Sequence, residues 1–416
     1  MLFKPGKITI VMDGGAGSSA KGLRAAYIWK HCKEQHSTFA VNTFMSNAAH
    51  TITHSNGQEV VHQCLSSITT VGDYKRQYVS PGCAFSKEEM LGEIEKYGVT
   101  PNHLGIHPNA VVVTQKDIDY ERGIVDFEGN PRNDKNSPNL RIGSTLHGVG
   151  AARARRILRR QDSLLVRDVP EFMQFMCNTN NEIVDRLCDG ESGLGEIAQG
   201  YQLSLYSNFW PKTTSRNCSV AAFLDDALLP IWVAGPIVIN FRTFPIRVNN
   251  NKYVRKSDGK ILTWDEFNNT PNDDREIIYG DSGGCYPDQR ELTWDDISEM
   301  AGERIFECTS LTKLPRRVFT FSQLNMMEAL KFNNTGDDVY ISINFMNYVD
   351  MTVKEKRSLS EVLTNKVIAW LKNNVLTDKM RKFNRIYNIR LAGMFIGTGR
   401  HIDDSVFVGA KDLNSL

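Results

Sequence analysis

A glycine-rich turn that ends in lysine follows an apolar, β-branched run near the start of the chain, in the segment KITIVMDGGAGSSAKG at residues 7–22. Such a turn lets backbone N–H groups approach a phosphate, and the lysine adds a positive charge. The turn nearly satisfies the Walker A pattern G-x-x-x-x-G-K-S/T, with Gly15 and Lys21 in place. Ala20 stands at the second glycine, however, and Gly22 replaces the magnesium-binding hydroxyl. The segment predicts phosphate chemistry that differs from that of ordinary P-loop NTPases.

Four more turns combine small residues with groups that could bind or catalyse: NAAHT at residues 47–51, GSTLHGVG at 143–150, EIAQG at 196–200 and TTSRN at 213–217. The first follows a predicted strand and places His50 on a turn, where a lone histidine is more often structural than functional. The second opens a helix and is suited to cradle a phosphate through its backbone. Each turn alone is a weak signal.

A cluster of arginines follows the GSTLHGVG turn, at Arg153, Arg155, Arg156, Arg159 and Arg160. Such a cluster is most often a solvated face. Contact of one of these arginines with a nucleotide phosphate explains the cluster as simply as nucleic-acid binding does, because a guanidinium recognises phosphate bidentately. Binding of duplex DNA by this helix is a further alternative, and it would show as a steep salt dependence.

The composition is that of a globular protein, with 416 residues, 41% hydrophobic and 23% charged, and a formal net charge of +1. That charge argues neither for nor against nucleic acid as a partner. The eight cysteines show no metal-binding spacing, which suits free thiols in a reducing compartment. We expect a cytoplasmic protein with no membrane partner, because the chain runs straight into a strand and its longest apolar stretch, at 227–239, is too short to span a bilayer.

Short β-branched runs alternate with helical patterns, which predicts an α/β fold with a central, mostly parallel β-sheet flanked by helices. We expect one large domain over residues 1–416, with a polar excursion near 249–284. The predicted strands are Lys7–Asp13, Ala110–Thr114, Ile237–Phe241 and Val339–Asn344. The predicted helices are Lys21–Lys33, Ser86–Tyr97, Val149–Arg160, Pro170–Arg186, Ser322–Phe332 and Ser358–Asn374.

The order of the turns is far more specific than any one of them. GSSAKG, NAAHT, GSTLHGVG, EIAQG, TTSRN and FPIRV resemble, in the same sequence, the motifs GDEGKG, NAGHT, G-S/T-T-x-x-G-I/V-G, EGAQG, T-S-x-N and T-R-V of the adenylosuccinate synthetase family. Further on, SLTKLPRR at residues 310–317 resembles the aspartate-binding loop of that family, and GTG at 397–399 its late nucleotide-binding turn. The resemblance extends from about Lys7 to Arg400 and implies the fold of that family.

The resemblance also implies a two-step, magnesium-dependent ligase reaction. A nucleoside triphosphate phosphorylates O6 of a purine nucleotide, and the amine of L-aspartate then displaces that phosphate. By correspondence with the family, Ser18, Lys21 and His50 are the expected catalytic positions, and Ser18 and the Ala49 carbonyl are the expected Mg²⁺ ligands. The family is dimeric, and Arg159 matches the arginine that it contributes across the interface to the nucleotide phosphate.

The substrate sites are carried over in the same way. The positions expected to bind the purine monophosphate are Ser18, Asn47, Ser144, Thr145, Arg159, Gln199, Thr214 and Arg247. Those expected to bind the triphosphate are Gly17, Ser19, Ala20, Lys21, Gly22, His50, Thr51, Arg316, Asn344, Asn347, Gly397, Thr398 and Gly399. Those expected to bind aspartate are Ser310, Thr312, Lys313 and Arg316.

Three departures from the family pattern refine this interpretation. Ser18 occupies the position of the family's aspartate, which acts as base on purine N1, and a hydroxyl cannot replace a carboxylate base. The family's guanine-reading T-K-x-D falls on residues 344–347 without its lysine or aspartate, which favours ATP or dATP as donor. Leu314 replaces an arginine near the ribose, which suits a 2′-deoxyribose. Asp13, the nearest remaining carboxylate, is expected to be structural.

Loss of this aspartate is similar to the phage branch of the family, whose members join aspartate to dGMP in making 2-aminoadenine for DNA. A smaller neutral side chain leaves room for a 2-amino group and offers it an acceptor. The sequence therefore predicts dGMP, L-aspartate and ATP or dATP as substrates, in the host cytoplasm if a phage encodes the chain. Two alternatives stay open: a divergent adenylosuccinate synthetase that uses IMP, and an inactive protein that binds purine nucleotides.

Overall fold

A nine-stranded sheet forms the centre of the computed structural model, which describes residues 1–132, 142, 144–248, 251–278, 282–308 and 314–416. The strand order is β18-β17-β16-β10-β1-β9-β2-β5-β7. Every neighbouring pair is parallel except β17 with β18, which confirms the predicted α/β architecture. The strands are β1 (Ile8–Asp13), β2 (Ser37–Thr43), β3 (His50–Thr53), β4 (Glu59–His62), β5 (Arg76–Val79), β6 (Ala84–Ser86), β7 (Leu104–Ile106), β8 (Val111–Val113), β9 (Ser192–Ile197), β10 (Ala234–Arg242), β11 (Ile246–Arg247), β12 (Lys252–Arg255), β13 (Arg275–Ile278), β14 (Glu291–Leu292), β15 (Arg317–Phe319), β16 (Asp338–Asn344), β17 (Arg390–Gly397) and β18 (Ser405–Gly409).

Helices cover both faces of the sheet. They are α1 (Lys21–Cys32), α2 (Lys87–Lys96), α3 (Gln115–Glu121), α4 (Val149–Ile157), α5 (Thr179–Cys188), α6 (Val220–Asp226), α7 (Trp264–Asn269), α8 (Trp294–Ala301), α9 (Gln323–Asn333), α10 (Leu359–Val362), α11 (Asn365–Asn374), α12 (Asp378–Ile386) and α13 (Ala410–Ser415). Within the described ranges, no helix is both long and apolar enough to cross a membrane.

Strand β1 shows why this sequence forms a central strand. All six of its residues are buried, and its side chains alternate between two cores. Ile8, Ile10 and Met12 belong to the larger cluster, whereas Val11 packs with Trp29 of α1 on the opposite face. A strand that is buried on both faces reads as a continuous apolar run, as it does here.

Two predicted helices are broken in the structure. Pro170–Phe175 is a 3-10 helix, and α5 begins only after Asn178, whose side chain accepts a hydrogen bond from the Asn181 N–H. The predicted helix Ser358–Asn374 is divided into α10 and α11, and the side chain of Thr364 caps the start of α11. In both cases a side chain that caps a helix starts a new element inside a segment with helical periodicity.

The other predicted elements lie close to their expected places. The predicted strand at Ala110–Thr114 is β8, but it pairs with β6 in a small separate sheet rather than in the central one. The predicted polar excursion contains the hairpin β12–β13 and helix α7 among its described residues.

Four arginines of the predicted cluster contact groups of the chain itself. Arg155 is 1% exposed and forms ion pairs with Asp117 at 2.7 Å and Asp162 at 3.0 Å. Arg160 pairs with Asp162 and Glu128. The other two, Arg153 and Arg156, donate to the carbonyl oxygens of Gly82 and Pro81. The cluster therefore serves largely to anchor α4.

Replacement of Arg155 by alanine is expected to lower the free energy of unfolding by about 3–5 kcal/mol, because it leaves the Asp117 carboxylate buried without its cation. Urea denaturation followed by circular dichroism measures this change. Arg160→Ala is the matched control, because its ion pairs are exposed and their loss should have little effect. Equal destabilisation by the two substitutions would contradict the structural role assigned to Arg155.

Candidate active site

The loop between β1 and α1 is held in shape by the carboxylate of Asp13. Asp13 Oδ1 accepts a hydrogen bond from the Gly15 N–H at 2.8 Å, and Oδ2 accepts one from the Ser19 N–H at 3.1 Å. The backbone is left-handed at Gly17, Ser18 and Ala20, with φ of 88°, 54° and 61°. Both carboxylate oxygens of Asp13 therefore serve the loop, and the side chain of Ser18 is exposed at its tip.

Helix α1 starts directly at the end of this loop with its first turn open. No side chain caps it and its first turn carries no acidic residue, so its N–H groups and dipole favour an anion. Lys21, the first residue of the helix, is buried. Burial lowers the pKa of Lys21, and attraction to Asp13 and Glu196 opposes that shift. The loop and the helix together form an anion-binding arrangement with a lysine at its centre.

His50 packs against the start of α1. It is the first residue of β3 and pairs with His62 of β4, so the prediction that it lies on a turn is wrong. Its Nδ1 lies 3.3 Å from Ser67 Oγ and 3.5 Å from Glu196 Oε2, whereas its Nε2 is buried and has no hydrogen-bond partner among the described residues. Burial and the charge of Lys21 lower the pKa of His50 to about 4. His50 is therefore neutral near pH 7, with one ring nitrogen held beside a carboxylate.

Glu196 is a functional candidate that the sequence interpretation did not assign, although it begins the EIAQG motif. It is the fifth residue of β9 and is 2% exposed. Its Oε1 accepts hydrogen bonds from Ser66 Oγ at 2.5 Å and from the Ser67 N–H at 2.9 Å. Burial opposes its charge, yet the hydrogen bonds from His50, Ser66 and Ser67 keep the pKa of Glu196 below its usual value. A buried carboxylate beside His50 can orient the ring and stabilise its protonated form.

The structure brings together the NAAHT and EIAQG turns. Gln199 Nε2 donates to Asn47 Oδ1 at 2.8 Å, and the backbone of Gln199 is left-handed with φ of 63°. Gly200 lies directly against Gly15 and Gly17, where a Cβ atom would overlap the loop backbone. This glycine is therefore required by the close approach of two turns. Asn47, Gln199, Ser18 and Lys21 all lie at the carboxyl ends of β1, β2 and β9, where ligands bind in open parallel sheets.

The TTSRN turn contributes both a candidate ligand and a support. The Thr214 Oγ1 atom is buried, and within the part of the chain that the structure describes it has no hydrogen-bond partner. Arg216 is buried, donates to the carbonyl oxygen of Thr43 at the end of β2, and pairs with Asp226 at 2.6 Å.

Arg247, from the FPIRV motif, is also buried, and it donates to the carbonyl oxygens of Ser282 at 3.0 Å and Lys212 at 3.1 Å.

The predicted phosphate cradle at the GSTLHGVG turn needs correction. The carboxylate of Glu121 accepts hydrogen bonds from the Gly148 N–H at 2.9 Å and the Gly150 N–H at 2.8 Å. A carboxylate of the chain thus occupies the N-terminus of α4, which the sequence predicts to be open to phosphate. Ser144 is half-buried and Thr145 is exposed, so their hydroxyl groups remain candidates. Gly143 lies outside the described residues.

On the donor side, Asn344 supports the loop from beneath. Its Nδ2 donates to the Ser19 carbonyl at 2.7 Å, and its Oδ1 accepts from Arg24 Nη2 at 3.0 Å. Asn344, one of the positions expected to bind the triphosphate, thus has both atoms of its amide bonded to the protein, and the structure shows it as a support of the loop. Gly397 packs on Asn344, whereas Asn347 is half-buried.

The remaining predicted donor positions differ in their access to solvent. Thr398 is fully buried and donates to the carbonyl oxygen of Lys356 at 2.8 Å. Gly399 packs on Asp404 and Glu355. Ala49 and Thr51, which flank His50, are exposed.

The predicted aspartate site is described only in part. Ser310, Thr312 and Lys313 lie outside the described residues. Arg316 is described: its Nε donates to the Cys308 carbonyl at 3.1 Å and lies 3.9 Å from a carboxylate oxygen of Glu307.

The fold, the open N-terminus of α1 and the convergence of these turns define the class of nucleoside triphosphate-dependent carbon–nitrogen ligases built like adenylosuccinate synthetase. The adenylosuccinate synthetase of Plasmodium falciparum, solved fully ligated, shares the fold with a TM-score of 0.68 over 96% of this chain and 99% of that one, at 12% identity. The succinoaminodeoxyadenylate synthetase of cyanophage S-2L, solved with dGMP and dATP, gives a TM-score of 0.70 at 26% identity, covering 98% and 97% of the two chains.

Comparison of sequences defines the family. The N6-succino-2-amino-2'-deoxyadenylate synthase of Salmonella phage PMBT28 is 31% identical over 362 residues, which cover 83% of this chain and 86% of that protein. No family model matches the chain. The chain belongs to the phage N6-succino-2-amino-2'-deoxyadenylate synthases. The resemblance predicted from the ordered turns is confirmed.

Replacement of Gly22 by serine would restore the hydroxyl of the Walker A pattern, but a Cβ atom there would lie 2.8 Å from His50 Cβ and 2.9 Å from Ser67 Oγ. We expect Gly22→Ser to displace His50, to lower turnover at least tenfold and to destabilise the protein by about 1–3 kcal/mol. Phosphate release and thermal unfolding measure the two effects. Gly92→Ala in α2 is the control, because open space surrounds that position. Unchanged turnover in Gly22→Ser would contradict the packing argument.

Proposed function

We propose that this protein joins L-aspartate to C6 of dGMP through a 6-phosphoryl intermediate, with ATP or dATP as the phosphoryl donor. The product is 2-amino-2'-deoxy-N6-succinyladenylate, a precursor of 2-aminoadenine in DNA. The observation that carries this proposal is Ser18, a neutral side chain exposed at the tip of the loop that leads to Lys21 and the open N-terminus of α1. The proposal agrees with the dGMP and dATP held by the cyanophage S-2L relative.

The first step converts a poor leaving group, the 6-oxygen, into a phosphate ester. Lys21 and the open N-terminus of α1 can stabilise the charge on the transferring phosphoryl group. His50 would then donate from Nε2 to the developing charge at O6, which requires the protonated ring. Glu196 beside Nδ1 and the charge that develops on O6 would favour that form over the neutral ring of the free protein. The unpaired Nε2 of His50 is the atom left to meet the substrate.

Ser18 accounts for the choice of a guanine base. A serine hydroxyl is smaller than an aspartate side chain and is able to accept a hydrogen bond from the 2-amino group. Asp13 does not replace the missing N1 base, because its two carboxylate oxygens hold the backbone of the loop. We infer that N1 loses its proton to solvent or to the phosphoryl group rather than to a carboxylate of this loop.

The rest of the monophosphate site is inferred from position. The linked pair Asn47 and Gln199 and the unpaired hydroxyl of Thr214 face the end of the sheet where the nucleotide is expected. Ser144 and Thr145 would add hydroxyl contacts to the phosphate. Arg247 is inferred to act by holding the neighbouring chain segments, because it is bonded to two carbonyl oxygens.

Magnesium fits the donor set of this site. Ser18 offers a hydroxyl and Ala49 a backbone carbonyl, both from exposed residues, and Mg²⁺ prefers oxygen ligands and retains water and substrate phosphates. The charge that balances the ion would come from the phosphates, because neither group is ionised. When bound, the ion supplies charge neutralisation to phosphoryl transfer.

The test of the proposed substrate uses purified protein with Mg²⁺, L-aspartate and either ATP or dATP, and compares dGMP with IMP. We expect phosphate release and a succinylated product with dGMP, at a kcat/KM at least tenfold above that with IMP. A strong preference for IMP would show that the protein is a divergent adenylosuccinate synthetase. The Ser18→Asp variant is the matched control: it should lower kcat/KM for dGMP relative to IMP, because the carboxylate fills the space assigned to the 2-amino group.

We further propose a homodimer in which Arg159 binds the nucleotide phosphate of the partner subunit. Arg159 is exposed, with a left-handed backbone at φ of 53°, and it follows Ile157 and Leu158, which are 71% and 61% exposed. Exposed apolar residues beside an unshielded arginine suit a surface that a second copy covers.

Mixing two inactive variants tests this arrangement. Arg159→Leu and Lys21→Gln should each abolish turnover, but a mixture that has exchanged subunits should regain about a quarter of the wild-type activity, since half of its dimers carry one intact site. Differently tagged subunits confirm that exchange has occurred. Exchange without recovery of activity would exclude a role for Arg159 across the interface.

A further inference from the structure

Two arginines from different parts of the site share one carboxylate. Glu307 binds Arg242 through both oxygens, with Arg242 Nη1 at 3.3 Å from Oε2, and it lies 3.9 Å from Arg316 Nε. Glu307 Oε1 also accepts a hydrogen bond from the Tyr348 hydroxyl at 2.8 Å. Although burial opposes its charge, the two guanidinium groups and this hydroxyl hold the pKa of Glu307 below its usual value.

Arg242 connects this carboxylate to the phosphate loop. It is the last residue of β10, is 2% exposed, and its guanidinium lies 3.8 Å from the ring centre of Phe345. Its Nη1 donates to the carbonyl oxygen of Ser18 at 3.0 Å. Ser18 has a left-handed backbone that serine rarely adopts, so a hydrogen bond to its carbonyl helps to fix the tip of the loop.

Arg316 approaches the same carboxylate, with its Nε 3.9 Å from Glu307 Oε2. Its backbone N–H donates to the Glu307 carbonyl at 2.9 Å, and its Nε donates to Cys308. Among the described residues, its two terminal nitrogens form no hydrogen bond. A substrate carboxylate that binds those nitrogens would share the positive charge of Arg316 with Glu307. It would thereby weaken the attraction between Glu307 and Arg316 and leave more of the Glu307 charge for Arg242.

We propose that Glu307 is a positioning residue that couples the aspartate site to the phosphate loop, through Arg316 on one side and through Arg242 and the Ser18 carbonyl on the other. This inference rests on the proposed function, with Ser18 facing the purine, and on the expected binding of aspartate by Arg316. Loss of the Glu307 charge leaves Arg242 and Arg316 without their common anion. Both guanidinium groups should then move from their positions, and the Ser18 carbonyl should lose its hydrogen bond from Arg242.

Glu307→Gln keeps the shape of the side chain and removes its charge. We expect it to raise KM for aspartate at least tenfold. We also expect it to slow, at least tenfold, the exchange of ¹⁸O between the β,γ-bridge and non-bridge positions of ATP, measured with dGMP and Mg²⁺ in the absence of aspartate. That exchange reports phosphoryl transfer alone, and a merely structural role would raise the KM of all three substrates alike.

Arg242→Lys tests the coupling from the other side, because Arg242 donates hydrogen bonds to the loop and to Glu307, whereas its interaction with Arg316 is charge repulsion. It should raise KM for aspartate at least fivefold. Glu291→Gln is the matched control, because Glu291 binds Arg317 through both oxygens at an exposed site; it should change neither readout. If Glu307→Gln fails to fold, Tyr348→Phe takes its place, with a smaller rise in KM for aspartate.

A rise in KM for aspartate with unchanged isotope exchange would overturn the coupling, and so would an unchanged KM. Should the wild-type protein prefer IMP, the proposed substrate is wrong, and the same comparison is run with IMP to test Glu307 separately.

Discussion

The buried carboxylate of Asp13 is the interaction on which the rest of the site depends. It ends β1 and turns the chain by accepting hydrogen bonds from Gly15 and Ser19, so that the loop projects Ser18 and delivers Lys21 to the start of α1. A buried carboxylate without such partners would be strongly destabilising. Because both of its oxygens hold the loop backbone, Asp13 keeps the loop in shape although Ser18 at its tip is not a carboxylate.

Around this loop, supports and reactive groups are separate residues. Glu196 supports His50, Asn344 supports Ser19, and Arg242 supports Ser18, each through a buried hydrogen bond or ion pair. Groups whose positions are fixed in this way need little reorganisation during reaction, which is the main source of electrostatic catalysis. Ser18 is exposed at the tip of the loop, whereas Asp13, Asn344 and Arg242 hold the loop backbone.

The sequence predicted three of the nine strands of the central sheet, β1, β10 and β16, because a buried parallel strand reads as an apolar run. It also predicted the identity of the turns, because glycine-rich turns leave a strong local signal. The other six strands of the sheet were not predicted. The sequence predicted continuous helices where the structure has breaks before α5 and α11. Val362, Val367 and Leu371 face the same core on both sides of the second break, so the apolar period continues although the helix does not. The cap at Thr364 was the available signal. The hydrogen bond that the Gly148 N–H donates to the Glu121 carboxylate joins residues 27 positions apart, and no local sequence pattern indicates it. The sequence does not indicate a role for Glu307 for a similar reason, since its partner Arg242 lies 65 residues away in the chain.

The order of the strands has a consequence for how the site comes into being. Strand β1 lies between β9 and β10, which follow it by about 180 to 230 residues in the chain. The phosphate loop is thus synthesised among the first residues, yet both of its neighbouring strands are made much later. Contacts so distant in sequence form slowly, because the entropy cost of closing a long loop comes before the contact energy that offsets it. A ribosome-bound chain therefore acquires nucleotide affinity only after β10 has emerged, and no short fragment that contains the loop can be expected to bind nucleotide alone.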